Sequence, residues 1–378
     1  MSDESSLQLP PFNGSTVRVS ILYAGLLVIP TALMLQPQIP GHDTVDAPMY
    51  SFLVENDKVG KKLMYDLGMR KDWREKLAPS IRKLFQHTDA SVDIPSDVVD
   101  ILNSASVPLS SINSIVWSHR HADHTGDPSL FPPTTSLIVG PGFKSNSKSY
   151  PGYPDNPDVH TVQDAFEGRD LIELDFDASP LKVCGLRAID WFEDGSFYII
   201  EALGHTSDHI MALARTSEDR FLLLAGDAAH HVGEFRPTPL LPLPESIRPS
   251  PFEAPRSVIA CPGSIFEQIH PCSHSHDSGS FRTTPFYEPR PAINSDPATA
   301  RVTLEALKVF DASPNVLVIL AHDPSLRDIL EFYPEGDLTG WERQDGQPNS
   351  KEAGTWRFLR DFGTKDIQEL VKAQQKTE

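Results

Sequence analysis

Ile115-Val116-Trp117-Ser118-His119-Arg120-His121-Ala122-Asp123-His124-Thr125-Gly126 is the stretch that decides how this chain is read. An apolar run reads as the end of a strand, and directly after it three imidazoles and a carboxylate fall within six positions. On an extended segment, residues two apart point the same way. His119 and His121 can therefore grip one ion together, leaving Asp123 and His124, around the following bend, for a second. Imidazole and carboxylate donors suit zinc, and also iron, cobalt or manganese. The competing reading is a helix start in which Asp123 caps and the histidines are solvated. A lone histidine would favour it; three with an aspartate do not.

Working outward, Thr16 to Leu22 and Tyr50 to Glu55 read as strands, and Lys62 to Tyr65 as a third that ends in Asp66-Leu67-Gly68. The longest apolar stretch, Val17 to Leu35, is broken by Arg18, Ser20, Gly25, Pro30 and Thr31, which suits a buried strand bent at Gly25 better than a membrane span. The acidic leader Asp3-Glu4 is unlike a signal peptide. Apolar residues at Trp73, Leu77, Ile81 and Leu84 predict a helix over Asp72 to Phe85, with a second over Asp97 to Asn103. Ile112 to Trp117 is the strand that delivers the histidines. Further strands are expected at Ser136 to Val139, Ser196 to Glu201, Ile210 to Arg215, Arg220 to Ala225 and Val316 to Leu320. Helices are expected at Ala298 to Phe310, Ser325 to Phe332 and Asp366 to Ala373. Four strands lead directly into polar residues, Trp117 into His119, Leu203 into His205, Ala225 into Asp227 and Leu320 into His322, so their ends should converge on one site.

The 378 residues, 39% hydrophobic, can bury a large core, and a single domain over 1–378 is expected. A formal charge of −19 and a pI near 5.1 argue against nucleic acid or an anionic membrane as partner and leave a small molecule, most easily a neutral or cationic one. Three cysteines, Cys184, Cys261 and Cys272, give no disulfide framework, which suits a cytoplasmic protein. Between Gly233 and Ala300 stand 13 of the 34 prolines. Proline at that density prevents regular helix and central strand, so 233–300 reads as an insertion running over the site. Within it, His270, Cys272, His274 and His276 read as a polar loop rather than another metal site.

The motifs, in their order, resemble the metallo-β-lactamase superfamily. Ser118 through Gly126 is similar to its Ser/Thr-His-X-His-X-Asp-His-X-Gly signature, and Asp66-Leu67-Gly68 to its Asp-X-Gly. Gly204-His205-Thr206, Gly226-Asp227 and Ala321-His322-Asp323 resemble its later motifs, over residues 16 to 333 in all. The resemblance implies an αββα sandwich, two mixed sheets face to face with helices outside. It also implies two divalent ions, zinc foremost. His119, His121 and His205 would hold the first, Asp123, His124 and His322 the second, and Asp227 would bridge both. The 22-residue interval 227 − 205 resembles that of the dinuclear N-acyl homoserine lactonase branch, and the Pro-rich insertion resembles fungal members of that group. The chain departs from the branch at His230, which stands where a tyrosine is common, and at Asp208, where glycine is. Asp66 is expected to hold backbone near the metal loop.

The reaction so implied is the opening of a lactone or lactam ring of a secondary metabolite or xenobiotic by a metal-bound hydroxide, with Asp123 or His230 handling the proton. One alternative is a thioesterase that releases a polyketide from an acyl carrier protein. Another is a non-catalytic binding protein on the same scaffold, which the complete set of seven ligands opposes. Trp191, Phe192, Phe266, Phe286 and Tyr287 are the aromatic candidates for an apolar substrate wall.

Overall fold

Two mixed β-sheets stacked face to face form the body of the chain, in a computed structural model that describes residues 7–274, 280–343, 346–363 and 367. The first sheet is built from β1 (Arg18–Pro30), β2 (Thr44–Asn56), β3 (Lys61–Tyr65), β4 (Ser91–Asp93), β5 (Ser114–Val116), β6 (Ser136–Val139) and β7 (Leu171–Glu173). Its seven strands run in the order β4-β1-β2-β3-β5-β6-β7, parallel from β3 through β7 and antiparallel before. The second sheet comprises β8 (Lys182–Val183), β9 (Leu186–Asp190), β10 (Phe197–Glu201), β11 (Ile210–Arg215), β12 (Phe221–Leu224) and β13 (Val316–Ile319). Its order is β13-β12-β11-β10-β9-β8, and only β12 and β13 pair in parallel.

Period-two alternation divides each strand between two cores. Leu63 and Tyr65 of β3, Ile210 and Ala212 of β11, and Leu222 and Leu224 of β12 meet between the sheets. Their neighbours Met64, Met211, Leu213 and Leu223 face outward and are buried there by helices and loops. Both faces are covered, which is why these strands read as continuous apolar runs. The helix Pro297–Ala312 packs Leu304, Leu307 and Phe310 into the outer core of the second sheet, and Leu102 of the helix Val98–Ser104 enters that of the first.

The long strand β1 bends as its sequence suggests. Its register against β2 shifts between Tyr23 and Leu26, and Gly25 there has φ +132°. A Cβ at Gly25 would lie 2.6 Å from the Asp93 carbonyl of β4, so the close approach of that edge strand needs glycine.

Three helical expectations fare differently. The helix expected over Asp72 to Phe85 is two pieces, Trp73–Lys76 and Pro79–His87, because Pro79 drives Ala78 to ψ 144° and starts a new helix at its first position. Ser325 to Phe332 forms a 3-10 turn, Pro324–Leu326, followed by turns and not a helix. There Arg357 holds Asp328, and the Tyr333 amide donates to the Ile21 carbonyl at 2.8 Å, so tertiary bonds replace helical ones. Asp366 to Ala373 lies, Ile367 apart, outside the described residues.

The Pro-rich 233–300 segment lies within the connection between the parallel strands β12 and β13. Its described residues form 3-10 turns and two-residue strands until the helix at Pro297 begins. Ile247, Cys261, Phe266, Phe286 and Tyr287 of this segment are buried in the outer core and anchor it at those points. No helix among the described residues is long and apolar enough to cross a membrane.

Candidate metal centre

Strands β5, β10, β12 and β13 end at one edge of the sandwich, and the loops that follow carry His119, His121, Asp123 and His124, then His205, Asp227 and His322. Backbone bonds lock these loops across the two sheets. The Ile210 amide donates to the Ser118 carbonyl at 2.8 Å, the Tyr50 amide to Ala321 at 3.1 Å, and the Tyr65 hydroxyl to Ile210 at 2.8 Å. Gly204, at φ +125°, admits the start of the helix Pro297–Ala312, since a Cβ there would lie 2.1 Å from the Ala300 nitrogen.

The side chains fall into two groups with one carboxylate between them. His119, His121, His205 and Asp227 each offer a donor atom within 4.8 Å of the others, as do Asp123, His124 and His322. Asp227 Oδ2 lies 3.5 Å from His205 Nε2 and 3.9 Å from His119 Nε2, while Oδ1 lies 3.3 Å from both His124 Nε2 and His322 Nε2. One oxygen therefore faces each group. Asp123 Oδ2 is 3.3 Å from His322 Nε2. His119 and His124 are each 1% exposed, and the residue at the helix N-cap is His121, so the solvated-cap reading of this cluster does not hold.

These residues fit a cation. His119 Nε2 and His205 Nε2 stand 2.9 and 3.0 Å from His121 Nδ1. Burial and the neighbouring histidines hold His119 and His205 well below the usual histidine range, and burial with His160 brings His121 to about 3. Neutral rings present lone pairs, and imidazole nitrogens turned toward one another at these distances form a donor set that a metal ion would fit. In the second group, burial opposes protonation of His124, but Asp227, Asp66 and Asp123 outweigh it and raise its pKa. Burial pushes Asp227 up, yet His124 and His322 hold it well below the carboxylate range.

The supporting residues orient these rings. Ser118 donates its amide and its hydroxyl to Asp66 at 2.6 and 2.7 Å, and His124 Nδ1 lies 2.8 Å from the same carboxylate, which turns Nε2 inward. Asp66 thus fixes a ring as well as backbone. His322 Nδ1 donates to the Pro48 carbonyl at 2.8 Å. His209 donates from Nδ1 to Ala202 and accepts the Asp227 amide on Nε2 at 2.9 Å, so it positions the shared carboxylate.

Asp208, which departs from the family's glycine, forms a buried ion pair with Arg120, the residue between His119 and His121. Arg120 also reaches the Ser295 hydroxyl at 3.3 Å, and the amides of Ser295 and Asp296 donate to His205 and Gly204, both at 2.9 Å. Two ligand loops and the end of the Pro-rich segment are thereby tied together.

His230 lines the cavity at the centre, its Nε2 3.5 Å from Asp227 Oδ2; burial opposes its protonation, but Asp227 raises its pKa. His231 points elsewhere, toward Asp361 at 3.2 Å. With His42 it makes a third group of metal-capable atoms. His231 Nδ1, however, accepts the Gly233 amide at 2.9 Å, so Nε2 carries the proton and is a poor metal donor. His270 is likewise occupied, donating to the Thr284 carbonyl at 2.8 Å with Nδ1 2.9 Å from Cys272 Sγ, and His276 lies outside the described residues.

None of the five aromatic candidates lines the cavity. Phe266, Phe286 and Tyr287 are core, and Trp191 and Phe192 pack against the inter-sheet cluster. Leu27, Ile29, Leu33, Met34, Ile81 and Phe85 form the apolar wall instead. The sequence reading also missed His160, which lines the same cavity with its ring 5.2 Å from His121; no motif surrounds it.

A sandwich of two mixed sheets with a buried imidazole and carboxylate centre at one edge defines a metal-dependent hydrolase. No family model matches the chain. It is 37% identical over 383 residues to gamma-lactamase FDB1 of Fusarium pseudograminearum (strain CS3096), covering 97% of this chain and 88% of that protein. It is 36% identical to metallo-hydrolase mfmC of Annulohypoxylon moriforme, over 93% of this chain and 89% of the other. Among solved structures, a quorum-quenching N-acyl homoserine lactone hydrolase shares the fold at TM-score 0.54 and 13% identity, over 85% of this chain and 99% of that one. The chain belongs to the metallo-β-lactamase superfamily. As a member with hydrolase relatives it is an enzyme, not a binding protein on a spent scaffold.

Proposed function

We propose that this enzyme opens the lactone or lactam ring of a small molecule at a centre of two divalent ions, zinc foremost. His119, His121 and His205 would hold the first ion, Asp123, His124 and His322 the second, and Asp227 would give an oxygen to each. Bound there, the ions supply Lewis acidity and a nucleophile at neutral pH. The observation that carries this reading is the two-sided placement of Asp227, whose oxygens face separate sets of imidazole nitrogens.

The protein's own groups do the rest. Asp66 and the Pro48 carbonyl keep His124 and His322 in the tautomer that leaves Nε2 free. His230 Nε2 is buried at the cavity beside Asp227 Oδ2, so it can hold a proton and deliver it to the ring oxygen or nitrogen that leaves. Asp123 is the second proton carrier, at the cavity wall. Relatives named as gamma-lactamases favour a cyclic substrate over a carrier-bound thioester.

Metal analysis of the purified protein should find close to two ions per chain, and His119→Ala should abolish hydrolysis across a panel of lactones, lactams and acyl thioesters. Full activity in a metal-free preparation, or turnover confined to thioesters, would overturn the proposal.

A further inference from the structure

The cavity that opens from the metal centre measures about 560 Å³, within the range that encloses a drug-sized ligand. A five- or six-membered ring held by its carbonyl at the ions fills only the inner end. Beyond it, the wall formed by Leu27, Ile29, Leu33, Met34, Ile81 and Phe85 carries no charge. It continues to the surface, where Leu33 is 38% and Leu84 56% exposed. Apolar surface left open beside a cavity favours a ligand with an apolar body to cover it.

One cationic side chain, Arg290, lines this cavity besides its imidazoles. Its backbone is fixed: the Arg290 carbonyl accepts the Asn294 side-chain amide at 2.9 Å, and Glu288–Pro289 pair with Gln36 and Leu35 beside Leu33 and Met34. Arg290 has no carboxylate partner among the described residues, as several other arginines do not, and among the described arginines it is the one that lines this cavity. In a chain with 52 acidic and 33 basic residues, a guanidinium that lines the reaction cavity without a carboxylate partner is available for a ligand. Guanidinium meets a carboxylate through two parallel hydrogen bonds. The net charge of −19 opposes an approaching anion only weakly, because exposed charges beyond about 8 Å are screened at physiological ionic strength.

We infer that the substrate is a lactone or lactam whose ring carries an extended apolar body ending in an oxyanion, and that Arg290 is the residue that selects for that oxyanion. The inference rests on the ring-opening reading and adds the substrate class. It places the ring at the ions, the body along the leucine-lined wall and the anionic end at the Pro-rich segment.

The test uses two lactones with the same ring and alkyl body, one ending in a carboxylate and the other in its methyl ester. The two matching cyclic ethers, which lack the scissile carbonyl, report binding alone. With metal-loaded wild type, the carboxylate should be preferred at least tenfold, in Kd for the ethers by calorimetry and in kcat/KM for the lactones, mainly through KM. In Arg290→Leu the preference should collapse toward one, and Arg290→Lys should recover part of it. Equal handling of carboxylate and ester by wild type, or a preference that survives Arg290→Leu, overturns the inference. Should the bare ring be opened as well as the extended lactones, the inference fails and the ring-opening reading stands. Ethers that discriminate alongside lactones that are never opened leave the anion site in place and sink the ring-opening reading.

Discussion

The buried pair of Arg120 and Asp208 allows a sharp test of what holds the centre in shape. Asp208 is fully buried and Arg120 is 6% exposed, so neither charge can turn to water. Asp208→Ala leaves the guanidinium, among the described residues, with the Ser295 hydroxyl at 3.3 Å as its remaining hydrogen-bond partner. Removing one partner of a buried ion pair costs about 3–5 kcal/mol, much of it the penalty of the uncompensated charge. Arg120→Met/Asp208→Ala removes both charges and should cost less than the sum of the single changes by about 2 kcal/mol, since contacting residues couple in the range of roughly 0.5–3 kcal/mol. Urea unfolding at one fixed free-metal concentration reads both numbers; the metal must be held constant because binding itself stabilises the fold. The reasoning is refuted if Asp208→Ala unfolds within about 1 kcal/mol of wild type, or if the double variant equals the sum of its parts.

Three further outcomes are expected. Gly25→Ala should lower stability by about 1–3 kcal/mol or more, because it combines a φ of +132° with a Cβ placed 2.6 Å from the Asp93 carbonyl; unfolding at the wild-type midpoint would show that β4 simply shifts aside. Asp66→Asn should weaken metal binding by about 10–100-fold, the usual effect of losing a carboxylate that orients a ligand ring, as measured by competition with a chromogenic chelator. An unchanged metal affinity would mean that Ser118 alone sets the His124 ring. Burial and the adjacent His231 lower His42 to about 4 from an ordinary value near 6.5. The unfolded chain therefore takes up this proton first, so stability should fall between pH 6.5 and 4 by up to about 3 kcal/mol and change no further from this group below that window. His42→Gln should flatten that dependence in acid unfolding curves, and an identical slope in the variant would exclude His42 as a source.

The histidine run and the four strand ends were legible because each is local, whereas the two-sheet architecture was implied by the resemblance of the motifs to the family. A strand that must be buried on both faces shows itself as an apolar run, and a loop that carries several donors shows them within a few positions. Pairings across the chain leave no such trace. Arg120 and Asp208 stand 88 positions apart, and read separately the first is an arbitrary residue between two histidines and the second a break with the family's glycine. Together they are one device, joined through Ser295 to the Pro-rich segment that walls the cavity. The aromatic wall was misplaced for a related reason: burial in a core and burial against a ligand give the same composition, and only the fold shows that Phe266, Phe286 and Tyr287 face inward while Leu33 and Leu84 stay open. The same logic limits how this site can be altered. A charge at position 120 or 208 without its partner is the costly intermediate, so the two positions, and the loop that carries Ser295, behave as a unit that must be exchanged together.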